Sequence, residues 1–303
     1  MVPNNIICPH CKKSDIVKRG TFQTKAHGKQ QRYFCKNCNK KFIPHTAFYR
    51  MRNTPQKITL CLDLFYRGIS TRKVQEHLQT FYPHNSDHST ILRWIWRYAK
   101  LISTFTNKLK LNVGKEVQVD EVEYKRRLFH TKGGKGAEKN WFIDSIDPKT
   151  KFMLGSEYAK SRDSANIKTV VNRIKERTDK QIEMVTTDGL NAYDSVVKSV
   201  FGYNNKLGRY NVYHKKVIVS ESDSVFNYPI ERLHNNIRHR TKTFRGFHGS
   251  IQSANLILKG YETYYNFITK HQTINCCPYE LACPDLKLTS KNKWLELIER
   301  SFS

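Results

Sequence analysis

The stretch EVQVDEVEY, residues 116–124, alternates apolar and polar side chains as a β-strand with one buried face does. Asp120 stands inside it, although aspartate is unfavourable in strands. The alternation places Gln118 on the same face as Asp120 and directs Glu121 to the opposite face. The stretch therefore predicts a strand whose carboxylate either pairs with a neighbouring Lys or Arg or takes part in chemistry.

The residues after this strand alternate between strand and helix patterns. Strands are predicted within 140–147, 151–158, 183–189 and 211–219, and helices over 164–177, 192–201 and from 228 onward. The first strands follow one another through turns, whereas the later ones are separated by helices. This order predicts a mixed α/β sheet.

Two further acids stand out in this half of the chain. Asp188 ends a predicted strand, the position at which functional groups of α/β sheets commonly gather. Glu231 is the only acid between Asp223 and Glu262, in a stretch rich in Arg and Lys. Three convergent carboxylates can hold two divalent cations, which prefer oxygen ligands.

Each acid also has an ordinary structural interpretation. Asp120 suits a salt bridge and Asp188 suits a turn or helix cap. With Tyr228 as N-cap and Pro229 at the first helical position, Glu231 falls at the third position. There it would complement the helix dipole.

The first 45 residues contain two CxxC pairs, Cys8–Cys11 and Cys35–Cys38, with 23 residues between them. Two such tight turns can complete a tetrahedral Cys₄ zinc site. The intervening residues predict two short strands, 17–24 and 30–34, joined by a turn that contains Gly28. The pattern predicts one structural Zn²⁺ in a basic zinc ribbon, with DNA contact favoured over protein docking.

The other cysteines lie outside this pattern, and their spacing matches no paired metal motif. We expect reduced structural thiols at Cys61, Cys276, Cys277 and Cys283.

Three short helices are predicted over 52–105. Thr54 and Ser70 are candidate N-caps, and a third helix carries apolar residues at helical spacing from Ile91. Its opposite face is basic and includes Arg93 and Arg97. The arrangement favours a DNA-binding helix-turn-helix, with these arginines as contacts, over a plain helical linker domain.

The bulk composition favours a polyanionic partner. The 303 residues include 53 Lys or Arg and 26 Asp or Glu, a formal net charge of +27. Nucleic acid is the usual partner of such a chain. No apolar run approaches the ~18 residues of a spanning helix, and the start MVPNN lacks a secretion signal. We therefore expect a cytoplasmic protein without a membrane partner.

The blocks VQVDEV, VTTDG and IERLHNNIRHR resemble the three catalytic blocks of DDE transposases of bacterial and archaeal insertion sequences. SRDSAN, FRGF, YYNFITKH and CPYELA resemble further blocks of the same family. One departure is the 42-residue spacing between Asp188 and Glu231, which an added loop over 203–210 would explain.

This resemblance implies an RNase H-like catalytic core with two Mg²⁺ or Mn²⁺ ions held by Asp120, Asp188 and Glu231. It also implies that His234 and Arg238 match the basic positions of the helix that carries Glu231, where they would contact DNA.

The resulting expectation is an α/β protein with four parts. These are a zinc ribbon (1–45), a helix-turn-helix domain (52–105), a catalytic domain (113–285) and a C-terminal tail (286–303). Its expected function is to bind element ends and to cleave and transfer DNA strands. It would act on double-stranded element and target DNA, as a dimer, near the prokaryotic nucleoid. The alternatives are a non-catalytic DNA-binding regulator or domesticated transposase, and an RNase H-like nuclease that cuts without joining.

Overall fold

The computed structural model describes residues 6–82, 86–127, 136–179, 181–217, 228–242 and 247–302. Residues 244–246 of the FRGF block and residues 218–219 of the predicted strand 211–219 lie outside these ranges.

The N-terminal module is a small antiparallel sheet. Its strands are β1 (Ile16–Thr24), β2 (Gly28–Cys35) and β3 (Lys41–Phe42), in the order β1-β2-β3. Both predicted strands are confirmed, and Gly28 has a positive φ at the turn between them. Ile16, Tyr33 and Phe42 form a hydrophobic cluster with the cysteines, separate from the main core.

Three helices follow, as predicted. They are α1 (Pro55–Tyr66), α2 (Thr71–Phe81) and α3 (His88–Thr106). The Thr54 and Ser70 side chains accept hydrogen bonds from backbone N–H groups in the first turns of α1 and α2, and this confirms both N-caps.

The main sheet is mixed, which confirms the predicted fold class. Its strands are β4 (Glu116–Arg127), β5 (Ala137–Ile146), β6 (Met153–Ala159), β7 (Met184–Thr187), β10 (Tyr213–Lys216) and β11 (Phe247–His248). The order is β10-β7-β4-β5-β6, with β11 beside β4. Strands β4, β5 and β6 pair in antiparallel order, and β7 runs parallel to both β4 and β10. This is the topology of an RNase H-like core.

Helices and a small hairpin complete this half. The helices are α4 (Ser164–Thr178), α5 (Asn191–Phe201), α6 (Tyr228–Thr241), α7 (Ile251–Thr263), a π-helical turn (Tyr264–Ile268), α8 (Pro278–Ala282) and α9 (Lys293–Phe302). The hairpin of β8 (Tyr203–Asn204) and β9 (Arg209–Tyr210) occupies the stretch expected as an added loop.

Within the described residues, helix α6 starts at Tyr228. Tyr228 is therefore helical rather than the predicted N-cap, and Pro229 and Glu231 each lie at least one position further into the helix than predicted. Glu231 remains in the first turn, where it complements the helix dipole.

The three helices and the sheet share one hydrophobic core. Helix α9, within the expected C-terminal tail, packs beside α1: Trp294 stacks on Tyr66 with ring centroids 5.5 Å apart and donates a hydrogen bond to Asp63. The helices α1–α3, the main sheet and α9 therefore pack around one core, and the N-terminal module keeps a separate cluster. No helix in the described ranges is both long and apolar enough to cross a membrane.

The contact between α1 and α7 generates a stability prediction. A Cβ added at Gly260 would overlap the Tyr66 hydroxyl and lie 3.1 Å from the Ala99 Cβ. In an open helix, Gly→Ala stabilises by about 0.5–1 kcal/mol. Here we expect Gly260→Ala to lower the free energy of unfolding by about 1–3 kcal/mol through overpacking, measurable by urea denaturation.

The matched control is Tyr66→Phe. The Tyr66 hydroxyl is buried and has no hydrogen-bond partner among the described residues, so its removal alone should be nearly neutral. In the double variant, Tyr66→Phe should recover part of the loss. A Gly260→Ala protein as stable as the wild type would contradict the close approach of α7 to α1.

Candidate active site

The sheet leaves a gap beside the middle of β4. On one edge, β4 pairs with β5 from Gln118 to Arg127, but on the other it pairs with β7 only from Glu116 to Gln118. Gln118 lies opposite Thr186. Continuing this parallel register by two residues places Asp188, which follows β7, level with Asp120.

The structure brings these two aspartates together with a third acid. One carboxylate oxygen from each of Asp120, Glu121 and Asp188 lies within 4.8 Å of the others. Ligand oxygens about 2.0–2.6 Å from a single Mg²⁺ or Ca²⁺ ion have separations of this size. The donor set therefore fits a hard divalent cation.

Glu121 was not predicted as part of this cluster. Its side chain reaches α5 and is almost fully buried: Tyr193 donates to one oxygen at 2.6 Å and Arg162 to the other at 2.7 Å. The Glu121 backbone N–H donates a hydrogen bond to the Asp120 carboxylate at 2.8 Å. This bond holds the Asp120 carboxylate close to the backbone of Glu121. Strand alternation alone could not indicate this contact.

Asp120 faces α6 and is largely buried. Burial raises the pKa of Asp120 to about 7, although the adjacent His234 acts in the opposite direction. Its side chain lies opposite Asp144 of β5, which is completely buried. Burial also raises the pKa of Asp144.

His234 lies between these two aspartates. Its Nε2 is 2.6 Å from Asp144 and its Nδ1 is 3.5 Å from Asp120. Burial lowers the pKa of His234, but the two carboxylates, Asp144 foremost, outweigh burial and raise it. The sequence predicts a DNA contact at His234; in the structure its side chain is 5% exposed and both ring nitrogens face carboxylates.

Glu231 lies one helical turn before His234 and is exposed. It does not join the cluster of Asp120, Glu121 and Asp188. Among the described residues, no hydrogen bond or ion pair engages its carboxylate. Arg238, one turn after His234, is likewise exposed. Helix α6 thus presents Glu231 and Arg238 to solvent while His234 faces the buried aspartates.

The four N-terminal cysteines converge. Cys8 and Cys38 sulfurs are 3.6 Å apart, and Cys11 and Cys35 sulfurs are 3.5 Å apart. Tetrahedral thiolates around Zn²⁺, with Zn–S near 2.3 Å, lie about 3.8 Å apart. A disulfide requires about 2.05 Å. The geometry therefore fits a four-cysteine metal site.

The other cysteines belong to no metal-compatible group in the described parts of the chain. Burial raises the pKa of Cys61 to about 12 and that of Cys283 to about 11, so these thiols are protonated at neutral pH.

The predicted DNA contacts on α3 are exposed. Arg93 donates to the hydroxyls of Ser89 and Thr90 on its own helix, and Arg97 donates to the Ala47 carbonyl at 3.4 Å. No carboxylate pairs with either guanidinium among the described residues, so both keep their charge for a partner.

Residues 136–272 match a family model described as a DDE domain, DDE_Tnp_IS240. The matched segment includes Asp144, Asp188, Glu231 and His234, and it begins after Asp120. Comparison with curated proteins finds no match.

The buried histidine generates a prediction about stability. His234→Ala would leave Asp144 and Asp120 without their cationic partner in a buried setting. We expect the free energy of unfolding to fall by about 3–5 kcal/mol, the usual cost of breaking a buried pair. Urea denaturation without added divalent metal measures this. An exposed DNA contact would change stability by less than about 0.5 kcal/mol, and that result would contradict the bridging position.

Proposed function

Because residues 136–272 match a family model described as a DDE domain, we propose that this chain is an insertion-sequence transposase that binds element ends and catalyses metal-dependent strand cleavage and strand transfer. The observation that supports this most directly is the meeting of Asp120 and Asp188 at the gap beside β4. Their oxygens are the ligands that Mg²⁺ and Mn²⁺ prefer.

We assign Asp120, Asp188 and Glu231 as the ligands of two Mg²⁺ or Mn²⁺ ions. When bound, such ions stabilise the attacking and leaving oxygens of an in-line phosphoryl transfer. His234 holds the Asp120 carboxylate from the α6 side, and the Glu121 N–H holds it from the strand. These contacts restrict the orientation of Asp120 before any ion arrives.

Glu231 is a better candidate than Glu121 for the third ligand. Both oxygens of Glu121 are already engaged, by Arg162 and by Tyr193. Glu231 has no such partner among the described residues and lies on the helix that contacts Asp120 through His234. A carboxylate without an internal partner leaves its oxygens available to a cation.

The N-terminal parts would recognise DNA. We propose that Cys8, Cys11, Cys35 and Cys38 bind one structural Zn²⁺, because their sulfur separations fit a tetrahedral thiolate site. The exposed Arg93 and Arg97 of α3 are proposed phosphate contacts at the element ends. Arg238, exposed on α6, is a further proposed DNA contact near the metal ligands.

The assignment of Glu231 predicts loss of chemistry without loss of binding. Glu231→Gln keeps the shape of the side chain but removes the charge that would hold a cation. We expect unchanged folding, undiminished duplex binding, and cleavage and joining reduced at least about a hundredfold. The assay is run in Mg²⁺ on a duplex that carries any terminal inverted repeats found to flank the reading frame.

Glu121→Gln is the matched control, because it removes the neighbouring charge by the same chemical change. We expect it to lower stability through its lost pairing with Arg162 and to reduce cleavage by no more than about tenfold. If Glu121→Gln abolishes cleavage while Glu231→Gln retains it, Glu121 is the third ligand. Wild-type protein that cuts but never joins would identify a nuclease.

The zinc assignment predicts about one tightly bound Zn²⁺ per chain. Replacing Cys8 and Cys35 by Ser should abolish zinc binding and unfold the N-terminal module, because its small cluster is too limited to fold without the metal. Metal analysis and limited proteolysis provide the readouts. Cys276→Ser should retain zinc. Freshly purified, reduced wild-type protein without zinc would disprove the assignment.

A further inference from the structure

A second face of helix α6 carries the exposed polar side chains of Arg232 and Asn236. Arg232 and Asn236 are one position on from Glu231 and Asn235, which rotates them by about 100° around the helix axis. They line two adjoining cavities, of about 310 and 200 Å³, between α6 and residues 261–273. Both cavities share walls formed by Arg232, Asn236, Tyr265, His271 and Thr273.

The walls of these cavities are cationic. Lys151, Arg232 and Lys270 line one or both of them, and no carboxylate lines either in the described parts of the chain. Within those parts, Lys151, Arg232 and Lys270 form no ion pair. We call this site the α6 cationic cavity.

Arg232 lies close enough to Lys151 and His271 to lower the pKa of both. Burial lowers the pKa of His271, and nearby Lys151 and Arg232 lower it further. Burial likewise lowers the pKa of Lys151, where Asp147 opposes and Arg232 adds to the effect. The Asp147 carboxylate already accepts hydrogen bonds from Gly114, Lys149 and Thr150 in a buried turn.

The cavity is held in shape by its surroundings. The His271 N–H donates to the Cys276 carbonyl at 2.9 Å, and the Thr273 N–H donates to His271 Nδ1 at 3.3 Å. The Tyr265 ring is buried with its centroid 6.1 Å from that of His271. The Thr269 hydroxyl, also in the wall, has no hydrogen-bond partner among the described residues. A cluster of repelling cations in a rigid wall favours an anion.

We propose that the α6 cationic cavity binds a backbone phosphate of double-stranded DNA. This rests on the proposed function, since it takes DNA as the partner of the chain. Arg and Lys are the usual phosphate contacts, and such contacts position a duplex without reading its sequence. Because Arg232 directly follows Glu231, a phosphate held here would fix the duplex beside the helix that carries the proposed metal ligand.

The test compares the salt dependence of duplex binding between variants. Arg232→Gln with Lys270→Gln removes two charges and keeps polar side chains. Fluorescence anisotropy with a labelled random-sequence duplex, without added Mg²⁺, gives the affinity at several salt concentrations. We expect binding weakened by about tenfold at low salt. The slope of log affinity against log salt should become less steep by about 0.9, because one phosphate contact is lost.

The matched control is Lys287→Gln with Lys291→Gln, two exposed lysines that line neither cavity. The control should retain the wild-type slope. Equal losses in both double variants would mean a general charge effect and would overturn the cavity. Calorimetry with inorganic phosphate alone provides a second arm: wild-type binding of free phosphate, together with an unchanged duplex slope, would assign the cavity to free phosphate.

These outcomes are separable from failure of the proposed function. Duplex binding without Mg²⁺ requires no cleavage, so a catalytically inactive protein still tests the cavity. Wild-type protein that binds no duplex would overturn both proposals. Wild-type protein that binds and cuts DNA, with an unchanged slope in Arg232→Gln/Lys270→Gln, would overturn the cavity alone.

Discussion

The position of the candidate active site depends on the three parallel residue pairs between β4 and β7. They end at Gln118 and Thr186, and the same edge of β4 pairs again only at Arg126 and Arg127, with β11, so within the described residues the middle of β4 has one unpaired edge. The chain turns out of the sheet at Asp188. The Asp188 carboxylate accepts a hydrogen bond from the Leu190 N–H at 3.0 Å, just before α5 begins. The Thr187 hydroxyl lies 2.8 Å from His214 on β10, which fixes the end of β7 from the other side.

A shift of this register by one residue would turn Asp120 to the opposite face of the sheet. It would then meet α5 instead of α6, and the contact with His234 would be lost. The antiparallel pairing with β5 prevents such a shift along ten residue pairs, from Gln118 opposite Ile146 to Arg127 opposite Ala137. The carboxylates are therefore placed by long-range backbone pairing, and their own mutual repulsion is tolerated because the sheet fixes them.

Local sequence patterns predicted most elements of this fold. Caps at Thr54 and Ser70, the turn at Gly28 and the strand containing Asp120 all depend on neighbouring residues, and the structure confirms them. The CxxC spacing similarly indicated the four-cysteine cluster. Such features were predictable because the residues that create them lie within a few positions of each other.

The contacts that were missed all depend on tertiary structure. Glu121 joins the cluster through Asp120 and is held by Tyr193, 72 residues away in the chain. His234 lies beside Asp144, 90 residues away, so a histidine in a basic helix belongs to a buried carboxylate network. Helical spacing puts His234, three residues after Glu231, on the same side of the helix, but it cannot show that His234 is buried. Only the packing of α6 on β4 determines that.

The shared core constrains how DNA could reach the carboxylates. Arg177 of α4 donates to the Thr106 carbonyl at the end of α3 and lies 3.6 Å from Glu262 of α7. Helix α3 is thereby tied to the sheet's own helices, in addition to the close contact of Ala99 with Gly260. If Arg93 and Arg97 contact DNA, that DNA is positioned relative to Asp120 by rigid packing and not by a linker. A duplex that binds α3 would then approach the active site along a path determined by the fold, and the cations beside Glu231 would only need to hold it in place.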